Sequence, residues 1–381
     1  MEKSLDIQDD LSIFKEKANY LVLGGLGFIG KNFVEALIQL DCFEKLVIVD
    51  KKLLKLNSYI PKSKLPLYES PKIVVLQKDL SRDADVKAIF TEHGPFDYVV
   101  NLAAETRYDL GEDSHKRNTL KLADTCAREA AENKVKKFIQ VSTAYVYASS
   151  SKPLNENGKL DPQKTHAKYA LAAERAIFRI PDLNYIILRP TIAYGPYDTA
   201  GFVALNLMAS AVYKINKEKM ALLWEKEKKI NMVHVEDICR AIFYAIEKGN
   251  KGDIYNLSNE ENVTQQKFYD HLKNIFNIDI EIVGTIKTYL AKIKFDSVIA
   301  EFNDRHMRWW FKACQDYNIN NSPLNIMVYR EMLEGYDLCI DGSGIKKLGF
   351  SYKHPKVTEE EILEELKYLV DMQYFPNVLD S

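Results

Sequence analysis

A chain of 381 residues, 46% hydrophobic and 28% charged, holds enough apolar material for a nucleotide-sized domain and a smaller companion. Its formal net charge of -2 offers no electrostatic footprint for nucleic acid or for an anionic membrane. The five cysteines, Cys42, Cys126, Cys239, Cys314 and Cys339, are scattered without metal-ligand spacing, which implies free thiols in a reducing compartment and no metal site.

Residues 1–17 alternate acids with apolar side chains, unlike a secretory signal or a transit peptide, and no apolar run is long enough to cross a bilayer. The implied location is the cytoplasm. Residues 20–23 then read as a short buried strand, followed by Gly24, Gly27 and Gly30 and by the helical apolar period Phe28, Ile29, Phe33, Val34, Leu37. Such a strand–turn–helix suits a diphosphate: one glycine makes the turn, one admits the ligand, one lets helix and strand pack, and the helix N-terminus presents free N–H groups. An ordinary glycine-rich turn is the plainer reading of the trio by itself. A second apolar run, residues 46–49, ends at Asp50, about 20 residues past the last glycine, where a carboxylate reaches the adenosine ribose and repels a 2′-phosphate. NAD(H) is favoured over NADP(H), and Lys51 and Lys52 either soften that preference or are simply solvated.

Residues 51–71 read as a surface loop and 72–76 as a third strand, followed by Asp79 and Leu80. Asp79 is placed either at the adenine amino group or as a helix N-cap for residues 84–91, in competition with Ser81 and Asp83. Residues 96–104 form a fourth strand ending in Leu102, Ala103 and Ala104, small enough to admit a cofactor backbone. A helix over 118–133 and a fifth strand over 137–141 follow, ending at Ser142 and Thr143. Strands alternating with helices in this way give a parallel sheet covered on both faces.

Together these residues, with Asn118, the stretch from Val141 to Tyr147, Arg189-Pro190 and the stretch from Val233 to Ile238, resemble the extended short-chain dehydrogenase/reductase family. Within it, the chain is similar to the NAD-dependent epimerase/dehydratase and 3β-hydroxysteroid dehydrogenase branch over roughly residues 20–257. The resemblance implies an α/β fold, a Rossmann-type doubly wound parallel sheet with a smaller, mainly helical C-terminal substrate-type domain. It divides the chain into residues 15–195 plus 230–258 and residues 196–229 plus 259–381. It implies a dinucleotide held by Gly24, Gly27, Phe28, Ile29, Gly30, Asp50, Asp79, Leu80, Leu102, Ala103, Ala104, Asn118, Val141 and Pro190, with Thr143 offering a hydroxyl to a substrate carbonyl.

The family's chemistry also needs a tyrosine phenol with a lysine one helical turn later, which tunes the phenol and holds the nicotinamide ribose. Anchored on Glu174, those positions are His166 and Ala170 here, and Tyr169 and Lys168 fall on other sides of the helix. Tyr68/Lys72, Tyr213/Lys217 and Tyr269/Lys273 have the spacing but not the place. Either His166 acts as acid/base, since imidazole titrates near neutrality, or it is a surface or capping histidine in a site that has lost its chemistry. The second reading makes the chain an NAD(H)-binding pseudoenzyme, a structural, sensing or assembly subunit with protein partners or a homodimer. The first makes it an NAD-dependent oxidoreductase or epimerase on a sugar nucleotide or 3β-hydroxysteroid, using Thr143 and His166. An empty dinucleotide site is a further outcome, because Ala170 removes a ribose contact.

Residues 186–190 read as a sixth strand, 203–214 as a helix, 221–229 as a charged hairpin-like connection, 238–248 as a helix and 253–257 as a strand that returns to the first domain. Tyr289, Phe295, Phe302, Trp309, Trp310 and Phe311 form an aromatic cluster over residues 285–315 that reads as core, pocket wall or docking surface. In hydroxysteroid dehydrogenases the comparable region anchors to membranes, but the lysines here argue against insertion. Thr358 and Glu361 make a capping box for a last helix with Leu363, Leu366, Leu369 and Val370 as its buried stripe.

Overall fold

The computed structural model describes residues 16–56 and 59–379. The reading of residues 1–17 as carrying no targeting signal therefore lies almost wholly outside the described residues. The chain opens with β1 (Ala18–Leu23), α1 (Phe28–Leu40), β2 (Phe43–Asp50), β3 (Ile73–Gln77), α2 (Asp83–His93) and β4 (Tyr98–Asn101). Next come α3 (Glu112–His115), a π-helical turn (Lys116–Lys121), α4 (Leu122–Glu132) and β5 (Lys137–Val141). After β6 (Ser150–Leu154) and α5 (Thr165–Ile177), β7 (Tyr185–Pro190) returns to the sheet, as does β11 (Ile254–Leu257) later.

The sheet order is β11-β7-β5-β4-β1-β2-β3, and every pairing is parallel. The chain winds outward from β1 to β3, then crosses to β4 and winds the other way. That reversal opens a crevice beyond the carboxyl ends of β1 and β4. Leu21 to Leu23 and Leu46 to Val49 are fully buried, as a strand covered on both faces demands. The glycines earn their places by crowding. Gly24 has φ +76°, and a Cβ there would lie 2.7 Å from the Ala103 nitrogen. A Cβ on Gly30 would run into the Gly24 carbonyl oxygen, so α1 could not seat against the turn.

Apart from the helix Val235–Lys248, which packs on the sheet beside α1, the remaining elements build a second region over one end of the sheet. In chain order, with that helix, they are β8 (Ile192–Tyr194), α6 (Phe202–Asn216), β9 (Met220–Leu222), β10 (Met232–His234), α7 (Val235–Lys248), α8 (Gln265–Phe276), β12 (Ile280–Ile282), α9 (Gly284–Lys292), α10 (Phe295–Asp316), α11 (Arg330–Leu333), β13 (Leu338–Ile340) and α12 (Glu359–Asp371). Three small parallel pairs, β8 with β10, β9 with β12 and β6 with β13, tie it together. Its apolar core joins α6, α8, α10 and α12 through residues such as Leu207, Phe268, Trp310 and Leu366. No helix among the described residues is long and apolar enough to cross a membrane.

Several expectations shift. The helix predicted over 118–133 begins at Glu112 and carries a π turn, with Asn118 inside it. The hairpin predicted over 221–229 does not form, because β9 pairs in parallel with the distant β12. The 238–248 helix starts at Val235, where the buried imidazole of His234 accepts the Glu236 N–H as its cap. In α12 the capping box is present, but Ile362 is buried while Leu363 and Val370 are only partly so. The aromatic cluster divides: Phe295 and Trp310 are core, while Tyr289 and Phe311 are exposed. All five cysteines are free and buried.

One buried ion pair fastens the sheet to α5. Arg189 on β7 donates from Nε to Glu174 Oε1 (3.0 Å) and from Nη2 to Glu174 Oε2 (2.6 Å). Ser142 donates to the same carboxylate (2.5 Å), and Arg189 Nη1 donates to the Tyr147 hydroxyl (2.7 Å), which donates to Asn256 (2.8 Å). Both charges are essentially sealed from solvent. A second cluster fastens α12 to the start of α7: His354 lies between Glu236 (3.2 Å) and Glu361 (2.7 Å). Burial opposes its charge, but these hydrogen bonds outweigh it and push its pKa up to about 9.

Two outcomes follow. Glu174→Ala leaves a buried guanidinium uncompensated and should lower unfolding free energy by about 3–5 kcal/mol in urea titrations, with Glu129→Ala, on the surface of α4, near zero. His354 titrates higher folded than free, so its contribution is fully present below about pH 6.5 and is lost as pH rises through about 9. Stability relative to His354→Gln should therefore fall by roughly 2–3 kcal/mol between pH 6.5 and 10.

Candidate functional site

A cavity of about 930 Å³ runs from the carboxyl ends of the sheet strands into the second region. Of the residues singled out for the dinucleotide, Gly24, Gly27, Phe28, Ile29, Gly30, Asp50, Asp79, Leu80, Leu102, Ala103, Ala104, Asn118 and Pro190 all line it. Val141 is the exception. It is buried at the end of β5 and the lining begins one residue later, at Ser142, because strand alternation turns its side chain into the core.

The crevice fits a dinucleotide on its own geometry. The N-terminus of α1 has no side-chain cap and no acid in its first turn, so its N–H groups stay open to an anion. Asp50 is nearly buried. Its Oδ2 accepts the Leu26 N–H (3.0 Å) and its Oδ1 the Lys52 N–H (3.0 Å), which fixes the carboxylate while each oxygen keeps a lone pair. Asp79 is not the N-cap of α2, which is Arg82 without a side-chain bond; its Oδ1 accepts from Ser81 N (3.0 Å) and Oγ (2.7 Å) in the turn before that helix, and the residue lines the cavity. Those bonds hold its pKa below the usual carboxylate value. Lys51 and Lys52 both border the cavity, Lys51 with its side chain mostly in solvent and Lys52 half-buried. Burial lowers the Lys52 pKa. Lys31 on α1, missed in the sequence, is buried against the same crevice, and burial and Lys52 push it down to about 7.

At the reactive end, Thr143 Oγ1 accepts the Tyr145 N–H (3.2 Å), leaving the hydroxyl proton available to a ligand. The reading of His166 as a surface or capping residue is corrected. The cap of α5 is Lys164, without a side-chain bond, and His166 lines the cavity with its ring edge-on to Tyr108 (5.4 Å) and Tyr145 (5.7 Å). Its Nδ1 is sealed and has no partner among the described residues. Burial, aided by Lys164 and His115, pushes its pKa down to about 3, so the ring is neutral at pH 7. Ala170 is absent from the lining. Tyr169 faces outward to Glu112 (3.4 Å) and Lys168 is exposed, as the helical register requires.

The sequence reading missed Lys164. Only 9% exposed, it sits with Nζ 4.4 Å above the Tyr145 ring and 5.5 Å from that of Tyr108. Burial pushes its pKa down to about 8. One signal was available: a lysine at a helix N-cap faces the positive end of the macrodipole, an unfavourable place that calls for a reason.

The profile of the NAD dependent epimerase/dehydratase family matches residues 20–258. The chain belongs to that family. Among relatives, a dTDP-D-glucose 4,6-dehydratase of Dictyostelium discoideum is 25% identical over 303 residues, which span 72% of this chain and 64% of the relative. Among solved structures, the UDP-glucose 4-epimerase of Thermotoga maritima, solved with UDP-glucose, superposes with a TM-score of 0.65 at 20% identity, over 93% of this chain and 99% of that one. A double mutant of the dTDP-glucose 4,6-dehydratase DesIV from Streptomyces venezuelae, solved with NAD, gives 0.68 at 20% identity, over 92% and 97%. At such identities the likeness shows the fold, a parallel sheet of the Rossmann type.

Asp50 generates a prediction within this family frame. Asp50→Ala should weaken NADH binding by about 1–3 kcal/mol. With Lys31, Lys51 and Lys52 left in the crevice, the variant should favour NADPH, the reverse of the parent. Fluorescence titration with both dinucleotides checks it, and a parent that already prefers NADPH refutes the role given to Asp50.

Proposed function

We propose that this chain binds NAD(H) and has lost the proton-transfer half of the family's chemistry, so that it serves as a dinucleotide-binding structural, sensing or assembly subunit. One observation carries the reading: a lined and uncapped dinucleotide crevice is combined with His166 and Ala170 where a phenol and its lysine are needed. A bound nicotinamide supplies or accepts a hydride. The protein must then move a proton at the substrate oxygen. Thr143 can donate a hydrogen bond there, but a neutral imidazole at pH 7 is a poor acid, and no ammonium one turn along α5 tunes it. The division into residues 15–195 plus 230–258 and residues 196–229 plus 259–381, a cytoplasmic location and a homomeric or heteromeric assembly belong to the same proposal.

A second reading has one observation in its favour. His166 lines the cavity, and burial keeps its ring in the unprotonated form that a general base needs. On that reading the chain is an active oxidoreductase or epimerase on a sugar nucleotide, as the names of its relatives suggest, or on a 3β-hydroxysteroid.

The deciding experiment compares the parent, His166→Ala and the double variant His166→Tyr/Ala170→Lys on UDP-sugars, dTDP-glucose and 3-hydroxysteroids with NAD(H). We expect a parent ~10²–10⁴ below ordinary family rates and a double variant that recovers part of the deficit. Ordinary turnover by the parent that disappears in His166→Ala establishes the second reading instead.

A further inference from the structure

Beyond the dinucleotide crevice, the cavity continues along α6, β9, α10 and α11, where Leu223, Trp224, Ile230, Ile326 and Met332 form an apolar stretch of a wall that also carries Asn206, Gln265 and His306. Two ammonium groups stand at the junction. Lys164 has no carboxylate or carbonyl within hydrogen-bonding distance of Nζ among the described residues, and only ring faces meet it. Glu331, whose field reaches it, is already engaged by the Thr165 N–H (2.9 Å) and hydroxyl (2.5 Å). Lys228 is similarly enclosed, its side chain 13% exposed. Its Nζ lies 5.1 Å from the Trp224 ring and 3.9 Å from Asp337, too far for a hydrogen bond. Asp337 is itself held by the Lys229 N–H. Burial disfavours both charges, and the two amines repel each other. The sole arginine in the lining, Arg107, is bound to Glu105.

A buried cation with no ion-pair partner is costly, and Lys164 is one; Lys228, which lines the same cavity, has only the long contact to Asp337. We propose that Lys164 and Lys228 together hold the single anionic group, a carboxylate or phosphate monoester, of a ligand whose remaining body is apolar and lies against the wall from Leu223 to Met332. The proposal rests on the reading that the dinucleotide takes the other end of the cavity. It differs from a sugar nucleotide, since a diphosphate carries more charge than one anionic group and a sugar offers hydroxyls rather than apolar surface to the stretch from Leu223 to Met332. The groups facing Lys164 are Glu331, Lys228, His166 and the rings of Tyr108 and Tyr145; those facing Lys228 are Asp337, Glu225, Lys164 and the ring of Trp224. Of these, Lys164 titrates near pH 8 in the free protein, so affinity for the anion should decline as pH rises through that value.

The test loads the intact protein with N-phenyl-1-naphthylamine, a neutral fluorescent probe, and displaces it with dodecanoate, dodecyl phosphate, dodecanol or UDP-glucose below their micellar limits. At pH 7, dodecanoate or dodecyl phosphate should displace the probe at roughly tenfold to hundredfold lower concentration than dodecanol. Which of the two anions leads identifies the head group. Lys164→Met should erase the advantage, Lys164→Arg should keep it, and it should shrink above pH 8. Near-UV circular dichroism checks that both variants fold. Dodecanol equal to the anions in the parent, an advantage that survives Lys164→Met, no uptake of the probe, or stronger displacement by UDP-glucose would each overturn the proposal. A parallel NADH titration reads the dinucleotide end separately. Anion preference without NADH binding sinks the proposed function and spares this inference; the converse does the opposite.

Discussion

The buried pair between Arg189 and Glu174 sets the geometry on which the candidate site depends. It joins β7, the end of β5 and the middle of α5 through one carboxylate that also accepts the Ser142 hydroxyl. Thr143 follows Ser142 directly, and His166 lies on the same helix as Glu174 two turns earlier. Once the pair forms, the hydroxyl at the strand end and the imidazole at the helix start are both held over the crevice. Removing two charges from water is expensive, and such pairs often add little net stability. What this one supplies is registration: a bidentate guanidinium accepts few alternative placements of its carboxylate. The serine beside Thr143 is thereby committed to structure.

How much of this was legible beforehand differs by the range of the interactions. The glycine trio, Asp50 and the alternation of strands and helices are local patterns, and each was found where it was expected. Elements whose partners lie far along the chain were misjudged. Residues 221–229 looked like a hairpin because their acids and lysines are spaced like a turn, whereas β9 is defined by β12, which lies beyond α8. His166 looked like a surface residue because its own helix turn is polar. The aromatic walls that enclose it, Tyr108 and Tyr145, come from a loop after β4 and a turn after β5. Lys164 and Lys228 share one cavity from segments with no sequence relation at all, so no spacing argument could have joined them.

His166, Ala170 and Lys164 set the electrostatics at this end of the cavity. In place of a charge one helical turn inside α5 there is a methyl group, and the nearby ammonium stands at the helix N-cap, where the macrodipole opposes it. The imidazole is kept neutral by its surroundings.

The three small parallel pairs have a temporal meaning. A parallel pair cannot be closed by a short turn, and here each waits for a distant segment: residues 150–154 wait for 338–340, and 220–222 wait for 280–282. During synthesis the sheet can assemble well before the second region has a complete core. The apolar faces of α6 and α8 must stay uncovered until α10, β13 and α12 emerge. Contacts so distant in sequence make completion of the second region's core a late and slow event.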